Sequence, residues 1–239
     1  MKDITISLII PAYNEEKRIG ACLQSVIKYT DNKFSEIIVV NNASTDNTKS
    51  IAESFRQIKV IDEPHKGVMR ARSRGIRESK GSIIAFMDAD CHMTKGWFEK
   101  VEKEFSESKN TVLLSGPYSY YDAPIWIRLI TEIYLMVAII IYYMVGYMAI
   151  FGNMAIRRST LDKMNGLDTN IDFYGDDTDT ARRASRFGKV KFDYNLRLQS
   201  SCRRLRNQGV IKTGFIYILN FFSEVIFHRP LSKRSEDFR

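Results

Sequence analysis

The sequence predicts an α/β fold in which a largely parallel sheet is flanked by helices. Strand-like and helix-like segments alternate through the first half of the chain, a pattern typical of such sheets. The 239 residues are 44% hydrophobic and 27% charged, a composition that excludes a disordered chain and supplies a core. Thirteen glycines and five prolines are fewer than a turn-rich all-β domain needs.

Each predicted element follows from a local pattern. Apolar runs rich in Ile and Val predict strands, and apolar residues at helical spacing, such as Ile19, Leu23 and Val26, predict helices. The sequence Thr45-Asp46-Asn47-Thr48 caps a further helix. The predicted strands span 4–10, 36–40, 58–61, 82–87 and 111–114, and the helices span 15–28, 67–79, 97–105, 176–187 and 209–227.

Three polar clusters come directly after predicted strands. They are PAYNEE at 11–16, NNASTD at 41–46 and DAD at 88–90. Ligands of parallel sheets bind at the carboxyl ends of the strands, so these clusters predict a shared site. Carboxylates one residue apart, such as Asp88 and Asp90, can bind Mg²⁺ or Mn²⁺, which takes one or two protein carboxylates and leaves its other positions to phosphates and water.

Several ordered motifs resemble family-two glycosyltransferases of the GT-A fold. The motifs are SLIIPAYNEEKRI, EIIVVNNASTDNT, KGVMRARSRGI and GSIIAFMDAD, followed by FGNMAIRRSTLDKMNGLD and GDDTDTARRASRFGKV. The resemblance covers roughly residues 4–200. It implies a GT-A-like three-layer α/β sandwich with a mixed, mostly parallel central sheet and a C-terminal helical extension. On this interpretation residues 1–200 form the catalytic domain, with an apolar insertion at about 125–148, and 201–239 form an amphipathic extension and charged tail.

The resemblance also implies transfer of a sugar from a nucleotide-sugar to a hydroxyl acceptor with inversion, with Mn²⁺ or Mg²⁺ as the cofactor. Asp90 would bind the metal, Asp88 would contact the ribose or the metal, and Asp177 would be the catalytic base. The nucleotide pocket would include Pro11, Ala12, Tyr13, Glu15, Asn41 and Asn42, and weaker candidates around the phosphates and the base are Asp176, Lys66, Arg72, Arg203 and Arg204.

Alternatives to these assignments remain at the sequence level. Asp176 and Asp177 begin a predicted helix, where the helix dipole favours ionised carboxylates, and they would serve equally well as caps that balance nearby arginines. Lys66 and Arg72 fit a solvated helix face as well as a phosphate site. Asn41 stands where family members often carry Asp, which makes one nucleotide contact neutral.

A long apolar run and the basic charge predict attachment to a membrane surface. Residues 133–156 carry no charge, but a single span would separate Asp88 and Asp90 from Asp177. Assigning 149–156 to a buried strand leaves 15 residues at 133–147, short of the roughly 17–25 that a span requires. We therefore expect an interfacial helix, or else a homodimer face or plain core. The net charge is +8, and part of it comes from basic residues that flank the aromatic 209–227 segment. This arrangement favours binding to anionic lipid headgroups.

The sequence therefore predicts a metal-dependent inverting glycosyltransferase of cell-envelope glycan, polysaccharide or glycolipid synthesis. We expect its acceptor to be lipid-linked. It lacks a signal-peptide pattern, which predicts a cytoplasmic protein peripheral on the cytoplasmic face of the cell membrane. Nucleic acid is disfavoured because no recognition motif is present. The alternatives are a sugar nucleotidyltransferase, which would normally have a Gly-rich basic loop after its first strand, and a catalytically silent membrane-associated scaffold of the same fold.

Overall fold

The computed structural model describes residues 4–171 and 175–227. The elements in chain order are β1 (Ile6–Ala12), α1 (Ile19–Thr30), β2 (Glu36–Asn41), α2 (Thr48–Glu53), β3 (Ile58–Asp62), α3 (Val68–Glu78), β4 (Ile83–Met87), β5 (Cys91–His92), α4 (Trp97–Glu107), β6 (Thr111–Ser115), β7 (Tyr118–Tyr120), α5 (Ile125–Val145), β8 (Asn153–Arg157), α6 (Arg158–Lys163), α7 (Asp176–Ser185), β9 (Lys189–Phe192), β10 (Leu198–Ser200), α8 (Arg203–Gln208) and α9 (Val210–Phe227).

The main sheet has seven strands in the order β3-β2-β1-β4-β8-β6-β9. Strands β1 to β4 run parallel, β8 is antiparallel to both β4 and β6, and β9 is parallel to β6. A second sheet pairs β10 with β5 and β7. The prediction of an α/β fold with a mixed, mostly parallel sheet is confirmed.

The core consists of two apolar layers on opposite faces of the main sheet. Alternate residues of β1 point to opposite sides, so Leu8 packs with α1 and α4 whereas Ile9 packs with α3 and α7. A Cβ atom at Gly75 would lie 2.5 Å from Ile9 Cγ2, so α3 packs on β1 at a distance that requires glycine there.

Parallel pairing brings the predicted polar clusters to one edge of the sheet. Ala12 at the end of β1 pairs with Asn41 at the end of β2, and the Asn42 backbone N–H donates to the Ala12 carbonyl at 2.8 Å. Helix α1 begins at Ile19, four residues later than predicted. The reason is that the Glu15 backbone N–H donates to Thr48 Oγ1 at 2.7 Å, which holds the intervening loop against α2.

Helix α5 corrects the predicted length of the apolar helix. It has 21 residues and a mean hydropathy of 1.9, so it is long and apolar enough to cross a membrane by length and composition. The predicted length of 15 residues was wrong because the helix was counted from residue 133, where the uncharged run begins, whereas α5 begins at Ile125. The helix also includes Arg128 and Glu132, and Glu132 Oε2 accepts from Arg197 Nη2 at 3.0 Å.

Both ends of α5 return to the same domain. Before it, β7 pairs with β10, and after it, β8 pairs with β4 and β6. A single crossing would place these strands on opposite sides of a membrane, which their pairing excludes. The helix nevertheless presents a broad exposed apolar face that includes Ile125, Trp126, Leu129, Ile133, Met136, Val137, Ile140, Tyr143 and Met144.

Candidate active site

Arg72 joins two of the predicted acidic groups. Its Nη2 lies 3.1 Å from Asp88 Oδ1 and its Nη1 lies 2.9 Å from Asp176 Oδ2, an arrangement we call the Arg72 bridge. The guanidinium carbon lies 3.9 Å from the ring centre of Phe151. Arg72 is buried, so it is not part of a solvated helix face. The bridge connects α3, the end of β4 and the start of α7.

Asp88 is held on its other side by groups that the sequence did not single out. Its Oδ2 accepts from the Tyr118 hydroxyl at 3.1 Å. A Cβ atom at Gly152 would lie 2.2 Å from Asp88 Oδ2 and 2.0 Å from the Tyr118 oxygen, so this position accepts no larger residue. Gly152 stands in the FGNMAI motif, which was the available signal for it. We find no comparable signal for Tyr118.

Arg203 joins a second pair of acidic groups. Its Nη1 lies 3.0 Å from Glu15 Oε2, and its Nη2 bonds Glu15 Oε1 and lies 3.0 Å from Asp90 Oδ2. We call this arrangement the Arg203 bridge. Burial raises the pKa of Asp90 to about 6, against the opposing effect of Arg203. Glu15, predicted in the nucleotide pocket, therefore lies beside the predicted metal ligand.

Asp176 and Asp177 begin α7 next to the Arg72 bridge. Burial raises the pKa of Asp176, while Arg72 opposes the shift. Burial, followed by the neighbouring Asp176 carboxylate, raises the pKa of Asp177 to about 7. Asp177 Oδ1 accepts from the Thr178 backbone N–H at 2.8 Å. A partly exposed carboxylate with this pKa can accept a proton from a hydroxyl group near neutral pH.

The two asparagines at the end of β2, Asn41 and Asn42, have different environments. Asn41 Nδ2 donates to Asp62 Oδ1 at 2.8 Å. Asn42 Nδ2 donates to the His65 carbonyl at 2.8 Å, and its Oδ1 accepts from the Gly67 N–H at 2.8 Å. The Asn42 amide thus holds the loop that leads into α3, and its predicted contact with a base remains a prediction.

The remaining candidates lie at the border of the site. Pro11 and Ala12 are the last residues of β1. Lys66 Nζ lies 4.0 Å from the ring centre of Tyr13, so these two candidates lie against each other. Arg204 Nη1 donates to the Tyr217 hydroxyl of α9 at 3.0 Å.

The carboxylates at the end of β4 fit a magnesium or manganese site that a substrate completes. Among the described residues, no three His, Cys, Asp or Glu side chains are arranged as a metal cage. Asp88 and Asp90 nevertheless supply hard oxygen donors at one strand end. Mg²⁺ typically uses one or two protein carboxylates together with substrate phosphates and water, and this donor set matches that requirement.

Comparison with known proteins identifies the family of the chain. Residues 7–165 match the model of the family described as Glycosyl transferase family 2. The chain is 40% identical over 101 residues to glycosyltransferase AglE of Haloferax volcanii, covering 40% of this chain and 33% of that protein. It is 36% identical over 99 residues to dolichyl-phosphate β-glucosyltransferase ALG5D of Trichomonas vaginalis, covering 36% of this chain and 30% of that protein.

The solved structures show the same fold. The mannosyltransferase PcManGT of Pyrobaculum calidifontis, in complex with GDP-Man and Mn²⁺, superposes with a TM-score of 0.72 at 18% identity. The superposition covers 95% of this chain and 65% of that one. The fold is therefore GT-A, as predicted. The matched part of the chain spans about a third of the length of each of the two curated relatives named above.

Proposed function

Because this chain belongs to glycosyl transferase family 2, we propose that it transfers a sugar from a nucleotide-sugar to a hydroxyl acceptor with inversion, assisted by Mn²⁺ or Mg²⁺. The observation that carries the proposal is the Arg72 bridge. It brings the carboxylates at the end of β4 next to Asp176 and Asp177, which lie far away in the sequence. A predicted metal-binding carboxylate and the residue beside the predicted base thus share one arginine, which supports the close approach of the two groups that inverting transfer requires.

Each acidic group has a distinct task in this proposal. Asp177 accepts the proton of the acceptor hydroxyl as its oxygen attacks the anomeric carbon. Asp90, with Asp88, would hold the cation, and a bound cation would neutralise the charge on the departing diphosphate. The Arg72 bridge keeps Asp88 and Asp176 at fixed positions. Pro11, Ala12, Tyr13 and the two asparagines 41 and 42 border the nucleotide.

The comparisons support the substrate classes. The complex of PcManGT with GDP-Man and Mn²⁺ supports a nucleotide-sugar donor and a divalent cation. The similarity to a dolichyl-phosphate β-glucosyltransferase supports a lipid-linked acceptor, and the names of the relatives support glycan or glycolipid synthesis. The family match also makes the sugar nucleotidyltransferase alternative the weaker one.

Transfer from a panel of nucleotide-sugars, with Mn²⁺ and with Mg²⁺, tests the proposal. Asp177→Asn should lower kcat by about 10²–10⁴-fold, the usual contribution of a general base, and should leave the dissociation constant of the donor unchanged. Asp162→Asn, an exposed acid on α6, is the matched control and should keep wild-type rates. Asp177→Asn transfer at the wild-type rate would refute the base assignment. Binding of nucleotide-sugar without turnover by the wild type would favour the silent scaffold.

We also propose that α5 lies along the cytoplasmic surface of a membrane. Its exposed apolar face and the return of both ends to one domain favour an interfacial helix, and exposed Arg206 and Lys212 suit anionic headgroups. Ile140→Asn with Met144→Asn should reduce sedimentation with anionic liposomes. If these substitutions instead change the oligomeric state in solution and leave liposome binding intact, α5 is a homodimer face.

A further inference from the structure

We propose that Arg203 and the divalent cation compete for Asp90, so that cation binding to the acidic cleft requires displacement of Arg203. The inference rests on the proposed function in one respect: it takes Asp90 as a ligand of the cation. It assigns to Arg203 a position beside Asp90 that a general phosphate-binding role does not explain.

The Arg203 bridge places a cation directly on the predicted metal ligand. Nη1 and Nη2 of Arg203 bond both oxygens of Glu15, and Nη2 also lies 3.0 Å from Asp90 Oδ2. The side chains of Arg203, Glu15 and Asp90 are 16%, 4% and 16% exposed, so water screens their charges weakly. Arginine stays protonated at every relevant pH. Its positive charge can therefore leave Asp90 only if the side chain moves.

A second cation on the same carboxylate is unfavourable. Mg²⁺ binds carboxylate oxygen at about 2.0–2.1 Å, which would place it close to the Arg203 nitrogen that already contacts Asp90. Like charges at such a distance repel strongly where solvent is largely excluded. Arg203 and a divalent ion therefore exclude each other at Asp90 Oδ2, and the free energy of ion binding to that oxygen includes the loss of the Arg203 bridge.

The backbone around Arg203 is held independently of its guanidinium. Asp122 Oδ1 accepts from the Cys202 N–H at 2.7 Å, and Asp122 Oδ2 accepts from the Ser201 hydroxyl at 2.8 Å. The Arg203 side chain can therefore leave Asp90 without release of α8. A diphosphate offers the displaced guanidinium a bidentate partner, so a cation that arrives with a nucleotide compensates for the lost contacts, whereas a bare cation does not.

Mn²⁺ binding in the absence of nucleotide tests the competition, with the electron paramagnetic resonance signal of free Mn²⁺ as the readout. Arg203→Gln should bind bare Mn²⁺ at least tenfold more tightly than the wild type. Arg18 lies 3.8 Å from Glu15, so Glu15 keeps a cation in this variant and the change is concentrated at Asp90. Arg206→Gln removes the same charge from an exposed position on α8 and should change the affinity less than twofold.

The coupling between Mn²⁺ and a nucleoside diphosphate supplies a second readout. In the wild type, UDP or GDP should tighten Mn²⁺ binding by a larger factor than in Arg203→Gln, because only the wild type has a guanidinium to relocate. Arg203→Lys keeps the charge but lacks the planar guanidinium that bonds both carboxylates. The factor by which nucleotide tightens its Mn²⁺ binding should lie between the wild-type and Arg203→Gln values. It also provides a folded variant if thermal melting shows that Arg203→Gln is unstable.

The outcomes separate this inference from the proposed function. Equal or weaker Mn²⁺ binding by Arg203→Gln, or no Mn²⁺ binding by any variant, overturns the competition even if the wild type transfers sugar. An equal gain in Arg206→Gln also overturns it, since general charge would then explain the effect. Tighter Mn²⁺ binding by Arg203→Gln in a protein that turns over no nucleotide-sugar supports the competition and refutes the proposed activity.

Discussion

Replacing Arg72 by methionine removes the cation of the Arg72 bridge and keeps most of its aliphatic stem. Methionine is a good helix former and packs adaptably, so the substitution leaves the helical backbone of α3 intact. The substitution leaves Asp176 without its arginine partner, and the Asp176 side chain is only 9% exposed. We therefore expect a loss of stability that comes from an uncompensated buried charge.

The size of the loss follows from the two contacts. At an effective dielectric constant of about 20, unit charges about 3 Å apart attract by about 5–6 kcal/mol, part of which offsets the cost of removing the guanidinium from water. Removing one partner of a buried pair typically costs about 3–5 kcal/mol. The Asp88 side chain is 36% exposed, and solvent screening limits its share to about 1 kcal/mol or less. We expect Arg72→Met to lower the free energy of unfolding by about 4 kcal/mol, in line with these ranges.

Urea denaturation at pH 8.0 and pH 5.5 measures the effect. Burial raises the pKa of Asp176 even with Arg72 present, and the loss of Arg72 raises the pKa further. A raised pKa in the folded state favours folding at low pH and destabilises the fold as pH increases. The deficit should therefore be larger at pH 8.0 than at pH 5.5.

Arg74→Met is the matched control on the same helix. Arg74 pairs with Glu78 at 3.0 Å, and their side chains are 39% and 32% exposed, so its loss should cost about 0–1 kcal/mol. If Arg72→Met costs no more than Arg74→Met, or if its deficit is the same at both pH values, the reasoning about a buried charge is refuted.

Three further results are expected. Because burial and Asp176 raise the pKa of Asp177 to about 7, kcat/KM should rise tenfold per pH unit below that value and level off above it. Asp176→Asn should move this limb to lower pH, and an unmoved limb would show that Asp176 does not act on the base. Gly152→Ala places a methyl group against Asp88 and should cost about 1–3 kcal/mol in urea denaturation, whereas Gly214→Ala, which meets no atom within 4 Å, should not destabilise the fold.

The sequence predicted the fold more completely than the lengths of its elements. Strand positions followed from apolar runs, and the parallel pairing followed from their alternation with helices. The apolar insertion was predicted at about 125–148, but the helix within it was predicted to begin at residue 133, because the charged Glu132 was taken as the boundary of the uncharged run. Its charge is instead compensated by Arg197, 65 residues later in the chain. Local composition carries no information about such a partner.

In the candidate site, the sequence predicted the acidic residues but not the contacts of the arginines. Glu15, Asp88 and Asp90 were predicted near one sheet edge from the clusters that follow the strands, and Asp177 was predicted as the base from the family resemblance. The roles of the arginines were not available from the motifs. Arg72 looked like one of several helix cations that either meet phosphates or face solvent, and the structure buries it between two carboxylates.

The sequence by itself determined the α/β fold and the family, and it predicted the acidic residues of the candidate site, because all of these depend on patterns within segments of about ten residues. The tertiary structure alone decided which acidic group each arginine contacts: Arg72 with Asp88 and Asp176, and Arg203 with Glu15 and Asp90. The physical reason is that ion pairing acts through space over a few ångströms, whereas these partners lie up to 188 residues apart along the chain.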